Sequence, residues 1–182
     1  MRSDVIRLAS EDDAQAVAAI YAPIVRDTPI SFEIEPPAGA DIAQRIRTTL
    51  AQYPWLVCER EGAVVGYAYA SQHHVRAAYQ WSVNVSVYID ERCRRTGVGR
   101  ELYTALFRIL VEQGYYNAYA GITLPNAGSV GLHEAMDFTP VGVYRQAGFK
   151  CDRWYDVGWW QRSLKEKTAP PALPRPIREI QI

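Results

Sequence analysis

Along this chain, runs in which apolar and polar residues alternate are separated by runs in which apolar residues recur every three or four positions. These are the periods of strands and of helices respectively. Residues 5–8 alternate as a short strand. Ser10 follows, backed by Glu11, Asp12 and Asp13, the signature of a helix cap with an acidic first turn. Ala16, Val17, Ile20, Tyr21 and Ile24 then recur at helical spacing. Three prolines within 27–37 predict an irregular loop, and a second helix is expected over 41–53. The Glu61-Gly62 turn joins strands over 55–59 and 64–71. A further strand over 81–89 places Val83, Val85, Val87 and Ile89 on one face. An amphipathic helix over 97–113, a strand over 117–122, a helix over 129–136 and a long antiparallel pair over 141–149 and 154–161 complete the set.

Three strands run together before the central helix, so the order is not that of a doubly wound nucleotide fold. The expectation is an α/β chain of α+β arrangement. Its 182 residues, 48% of them hydrophobic, suit one compact domain over 1–165. A proline-rich extension over 166–182 should lie extended on the body or on a second subunit. Twenty basic residues balance twenty acidic ones, leaving no electrostatic footprint for nucleic acid or an anionic membrane. Cys58, Cys93 and Cys151 are odd in number and scattered, which argues against a disulfide framework or a structural zinc site and for a reducing compartment. The adjacent His73 and His74 lack further spaced ligands, so no metal is expected. Residues 1–13 carry no apolar run of the signal-peptide kind, and no segment approaches the ~20 apolar residues of a spanning helix. The expected location is the cytoplasm.

The stretch VYIDERCRRTGVGREL, residues 87–102, runs from a strand through a basic glycine turn into a helix. Gly97 and Gly99 carry no Cβ to keep a bulky anion from the backbone. The helix start offers free N–H groups and a positive dipole end, and Arg94, Arg95 and Arg100 add charge around it. A P-loop requires Lys-Ser/Thr after its second glycine, where this chain has Arg100-Glu101. A dinucleotide fingerprint requires a third glycine, where it has Leu102. The remaining pattern, R-x-x-G-x-G on Arg94, Gly97 and Gly99, resembles the acetyl-CoA pyrophosphate loop of GNAT acetyltransferases. Downstream, Asn126 and Ser129 open a helix and His133 lies one turn on. GNAT enzymes similarly carry an Asn that contacts the pantetheine arm, and a proton donor for the CoA thiolate seven residues later.

In detail the chain is similar to the phosphinothricin and methionine sulfoximine N-acetyltransferase branch. The resemblance is carried by Ser31-Phe32, RAAYQWSVNVSVYI, RRTGVGRELYTAL, LPNAGSVGLHEA, RQAGFKCDRWYDVGWWQ and the PPALPRPIREI tail. It implies a mixed, mostly antiparallel, splayed sheet, acetyl-CoA as co-substrate, a homodimer, and a small amino-acid-like amine bearing a second polar group. It places Val87, Tyr88 and Ile89 along pantetheine, and Arg94, Arg95, Thr96, Gly97, Val98, Gly99 and Arg100 around pyrophosphate. Asn126 and Ser129 fall beside the cofactor arm, and Phe32, His74, Arg76 and Tyr79 around the substrate. His133 falls on the branch's active-site histidine.

Three positions depart from the pattern. Asn84 stands where the branch has a Glu as presumed general base, and a carboxamide takes up no proton at neutral pH. His74 stands for a Lys, and Asp137 for a glycine at a helix end. An alkylammonium must lose a proton before its nitrogen attacks a thioester. His133 is the strongest candidate for proton transfer, with Asn84 orienting the amine or a relaying water. Two alternatives stand beside this reading. One is acetylation of a different amine: another amino acid, a polyamine or a protein N-terminus. The other is a CoA-binding protein with little turnover.

Overall fold

The computed structural model describes residues 4–181. The first three residues of the expected 1–165 domain and the last of the 166–182 extension lie outside them. The elements are β1 (Val5–Leu8), α1 (Ala14–Asp27), α2 (Gly39–Thr49), β2 (Trp55–Arg60), β3 (Ala63–Gln72), β4 (Ser82–Ile89), α3 (Val98–Gln113), β5 (Asn117–Leu124), α4 (Ala127–Glu134), β6 (Thr139–Lys150) and β7 (Arg153–Ser163). Short 3-10 turns at Glu11–Asp13, Ala77–Tyr79, Glu91–Cys93 and Ile177–Glu179 join or follow them.

Every expected element is present, and the differences lie at the ends. Ser10 precedes the Glu11–Asp13 turn, which leads into α1, so the helix proper starts later than the acidic signature suggests. The second helix starts at Gly39, where the Asp41 carboxylate accepts from the Ala38 N–H at 3.0 Å, and it stops at Thr49 instead of reaching Tyr53. Two things end it early. Pro54 biases Tyr53 away from helical geometry, and the Gln52 carbonyl is taken by the Gln113 carboxamide at 2.7 Å and the Ile177 N–H at 3.2 Å.

The seven strands form one open sheet in the order β1-β2-β3-β4-β5-β7-β6. Only the β4–β5 contact is parallel. Alternation sorts the side chains onto two cores. Val83 and Val85 of β4, with Ala118, Ala120 and Ile122 of β5, pack against Leu102, Leu106 and Leu110 of α3. On the opposite face Val17, Ile20, Ile42 and Ile46 of α1 and α2 cover Trp55, Val57 and Tyr67, with Tyr88 against them. The tail closes over its own body: Ile177 and Ile180 belong to the α3-side core, and the Trp81 indole donates to the Ala172 carbonyl at 2.7 Å.

One feature of the sheet determines the site. Strands β4 and β5 pair only at Ser82↔Asn117, Val83↔Ala118 and Asn84↔Tyr119. β4 then continues to Ile89 and β5 to Leu124 without pairing, while β5 stays bonded to β7 along its whole length. A wedge therefore opens in mid-sheet, with its apex at Asn84 and Tyr119.

Candidate active site

The wedge is lined by Val85 and Val87 from β4, Gly121 and Thr123 from β5, and Asn126 and His133 from α4. Beyond Asn84, the β4 edge facing β5 has no strand partner, so its backbone groups are available to a linear ligand. Val87 and Tyr88 reach the wedge. Ile89 reaches the turn above it, close to Gly99. The Tyr88 ring points away into the α1-side core, 5.0 Å from Tyr21 and 5.3 Å from Tyr67, so only its backbone can serve a ligand.

At the wide end stands the basic glycine turn. Arg95 has φ 61 and Gly97 has φ 96, a pair of left-handed residues that turns successive N–H groups outward as α3 begins. Arg94, Arg95, Thr96 and Arg100 are exposed, and among the described residues none of the three arginines enters an ion pair. Thr96 is tied down by its hydroxyl, which donates to the Cys93 carbonyl at 2.7 Å. Val98 is buried, so its side chain serves the core and only its N–H faces outward. The two glycines differ in purpose. A Cβ at Gly97 meets only the Glu101 carboxylate, at 3.7 Å, so this position is needed for its backbone angle. A Cβ at Gly99 lies 3.1 Å from Leu132 of α4, so here the absent side chain lets α4 close on α3.

α4 brings its side chains to the wedge through its cap. The Asn126 Oδ1 accepts from the Ser129 N–H at 3.1 Å, and the Ser129 carbonyl lies 2.8 Å from His133 Nδ1. A carbonyl only accepts, so Nδ1 carries the proton and Nε2 accepts from the Tyr103 hydroxyl at 2.9 Å. His133 is 4% exposed, and burial lowers its pKa below the ordinary imidazole value, with the Ser129 carbonyl partly opposing. The imidazole is thus a neutral acceptor backed by a fully buried phenol. The α4 end also accommodates Asp137, which adopts φ 62 in the position of the expected glycine.

At the apex the Asn84 Oδ1 lies 2.8 Å from Nδ1 of His73, while its NH2 turns toward the Gln72 carbonyl at 3.5 Å. The His73 ring stacks on Tyr119 at 4.2 Å, with Tyr79 and Trp159 edge-on at 5.8 and 6.5 Å. His74 packs on Tyr79 at 4.7 Å and accepts from the Arg76 N–H at 3.3 Å. His74, Arg76 and Tyr79 thus share one exposed loop beside the apex. Phe32 comes from the α1–α2 loop, with its ring against the bare backbone of Gly148 in β6. Lys150 anchors that loop, its Nζ donating at 2.6 Å to the carbonyls of both Val25 and Ser31. Tyr103 and Tyr119 were not singled out from the sequence, and His73 was weighed there only as a metal ligand. For His73 a signal was present: a hairpin pairing Ser71 with Asn84 returns residue 73 to Asn84's face of the sheet.

The same fold is found in known proteins. The family model described as Acetyltransferase (GNAT) domain matches residues 6–159. The chain belongs to the GNAT acetyltransferase family. It is 41% identical to the phosphinothricin N-acetyltransferase of Streptomyces viridochromogenes, over 96% of this chain and 95% of that one. It is 32% identical to the L-methionine sulfoximine/L-methionine sulfone acetyltransferase of Salmonella typhimurium, over 92% and 98% of the two chains. Among solved structures, a GNAT phosphinothricin acetyltransferase from Sinorhizobium meliloti in complex with acetyl-CoA superposes with a TM-score of 0.88 at 34% identity, covering 93% of each chain. Among the described residues no cluster of three or more His, Cys, Asp or Glu side chains is placed to hold a metal ion.

Proposed function

We propose that this GNAT enzyme moves the acetyl group of acetyl-CoA to the primary amine of a small amino acid of the phosphinothricin or methionine sulfoximine/sulfone type, by direct attack in a ternary complex. The observation that carries the proposal is the wedge itself. It opens beyond Asn84 along the unpaired β4 edge, which leads into the Arg94–Arg100 turn, and Ile30 of the Phe32 loop lines its wall. The residues present suit acetyl-CoA: three guanidiniums without carboxylate partners, outward N–H groups at a helix start, and an unpaired strand edge. When bound, that molecule supplies an acetyl group on a thioester. Val87 and Ile89 offer backbone groups to its arm, and the free β4 N–H groups are positioned to receive the oxyanion that develops when the amine attacks. Asn126 and Ser129 stand along the arm, and the His133–Tyr103 pair stands where the thiol departs. Arg76 supplies positive charge for the substrate's second polar group, His74 stands beside it in the same loop, and Phe32 closes the pocket from the other side.

We further propose a cytoplasmic homodimer. No helix among the described residues is long and apolar enough to cross a membrane. The β6–β7 hairpin exposes Val141, Val143, Tyr144, Phe149 and Trp154, an apolar strip that a second copy can cover. The domain assignment is 1–165 for the catalytic unit and 166–182 for the extension. Release of CoA thiol across a panel of amino acids, with phosphinothricin, methionine sulfoximine and methionine sulfone included, tests the reading. Transfer to at least one of those three at the highest kcat/KM is expected. Preferred transfer to a polyamine or a peptide N-terminus overturns the substrate class, and binding without turnover overturns the activity.

A further inference from the structure

Position 84 lacks the carboxylate expected of a base, yet its carboxamide is not idle: it holds an imidazole at the apex of the wedge. We propose that His73 is the general base of this enzyme and that Asn84 is its positioning residue. The inference rests on the acetyltransferase reading above and names the group that removes the proton.

The chemistry follows from the hydrogen bond. With the Asn84 NH2 turned to the Gln72 carbonyl, its oxygen faces His73 Nδ1 at 2.8 Å, and that oxygen can only accept. The proton therefore sits on Nδ1, and Nε2 keeps its lone pair. The stack on Tyr119 at 4.2 Å fixes the plane of the ring, and Tyr119 is the β5 residue at which the strands part. His73 is only half-buried, so Nε2 can exchange its proton with solvent after each turnover. The titratable groups that face the ring are Tyr79 from the 3-10 turn and Tyr119 from β5, with His74 and Arg76 in the same loop. Asn84 of β4 and Trp159 of β7 are uncharged. None of these is a carboxylate that would hold the imidazole permanently charged.

In the step, one ammonium proton passes to Nε2 and leaves an imidazolium. The freed nitrogen pair forms a bond to the thioester carbonyl carbon, and the C–S bond breaks with its electrons on sulfur. A second proton from the nitrogen ends on the thiolate, giving the amide and the thiol, and the imidazolium returns its proton to water.

The first test needs no substrate. In ¹⁵N spectra of the full chain, His73 should show a protonated Nδ1 and a bare Nε2, and Asn84→Ala should abolish that preference. His73→Phe keeps a ring for Tyr119 to stack on, so acetyl-CoA affinity by calorimetry should stay within about twofold. kcat/KM should fall by about 10²–10⁴-fold, the scale of one positioned base. The acidic limb of the wild-type pH profile should vanish with it. Asn84→Glu alone should gain little, but in the His73→Phe background it should restore at least tenfold, because a carboxylate then stands in for the imidazole. His73→Ala should be rescued by added free imidazole. If wild type acetylates its amine and His73→Phe keeps both rate and pH limb, the inference is overturned while the proposed function stands. If wild type transfers acetyl to no amine, the function itself fails.

Discussion

Single residues set the two ends of the wedge. Gly97 at φ 96 is needed for its backbone angle, and a β-branched side chain there is strained by roughly 1–2 kcal/mol or more. Gly97→Val should therefore weaken acetyl-CoA binding by at least tenfold in calorimetry. Combined with Gly99→Val, which drives a side chain into Leu132, it should abolish binding. Unchanged affinity in the double variant would remove the basis for the pyrophosphate turn. His133 makes a different prediction, about pH. Burial holds its folded pKa below the unfolded value of 6.5. Well above pH 7 the imidazole is neutral in both states and makes stability no more or less pH-dependent. As pH falls through 6.5 the unfolded chain takes up a proton that the fold refuses, so stability declines from there down to the lower folded pKa. Thermal unfolding from pH 7.5 to 5 should show a falling Tm, and His133→Gln should flatten that fall whatever it does to Tm at pH 7.5.

At the scale of elements, the substrate side depends on an irregular segment held by a distant strand. The loop between α1 and α2 has no regular structure of its own, and Lys150 of β6 ties its Ser31 carbonyl to the Val25 carbonyl in the last turn of α1, while Phe32 rests on Gly148. A buried cation bonded to carbonyls contributes more than a neutral pair, and removing it leaves both acceptors unsatisfied. Burial also lowers the Lys150 pKa, the energetic cost of that anchoring. Lys150→Met should raise KM for the amine several-fold and leave KM for acetyl-CoA within about twofold, since the pyrophosphate turn lies across the sheet. Equal changes in both constants would mean that β6 supports the whole fold and not the substrate loop in particular.

For the whole molecule, the tail and the outer hairpin are the points to test. Ile177 and Ile180 are 3% and 9% exposed, and burying two such side chains contributes up to about 3–6 kcal/mol. Whole-domain stabilities are only about 5–15 kcal/mol. Ending the chain at residue 165 should thus lower Tm by well over 10 °C or prevent folding, and a truncated protein melting within 2 °C of the full chain would show the extension to be dispensable. The apolar strip on β6 and β7 predicts sedimentation at twice 20.6 kDa at micromolar concentration. Tyr144→Arg with Trp154→Glu should return the particle to a monomer.

The sequence by itself determined the element order, because the period of two in Val83, Val85 and Val87 and the helical spacing after Gly97 are local properties that local geometry enforces. It also pointed to an anion turn from Arg94, Gly97 and Gly99 within six residues, although the contact that needs Gly99 bare, Leu132 of α4, is seen only in the fold. The run of three strands before α3 excluded a doubly wound fold, and the mixed sheet was what the family resemblance implied. What the chain alone did not determine is where separate segments meet. Parting of β4 and β5 after Asn84 is a matter of pairing, invisible in either strand's own letters. The end of α2 at Thr49 owes something to Pro54, a local signal, but also to Gln113 and the tail's Ile177, which claim the Gln52 carbonyl from far along the chain. His133 read as a candidate for proton transfer from its spacing, and its burial and its hydrogen bond to Tyr103 were set only by packing. Asn84 read as a missing base for the same reason: its chemistry lies in the His73 ring that the β3–β4 connection brings back to it, and a hydrogen bond between side chains has no signature until the backbone has placed both.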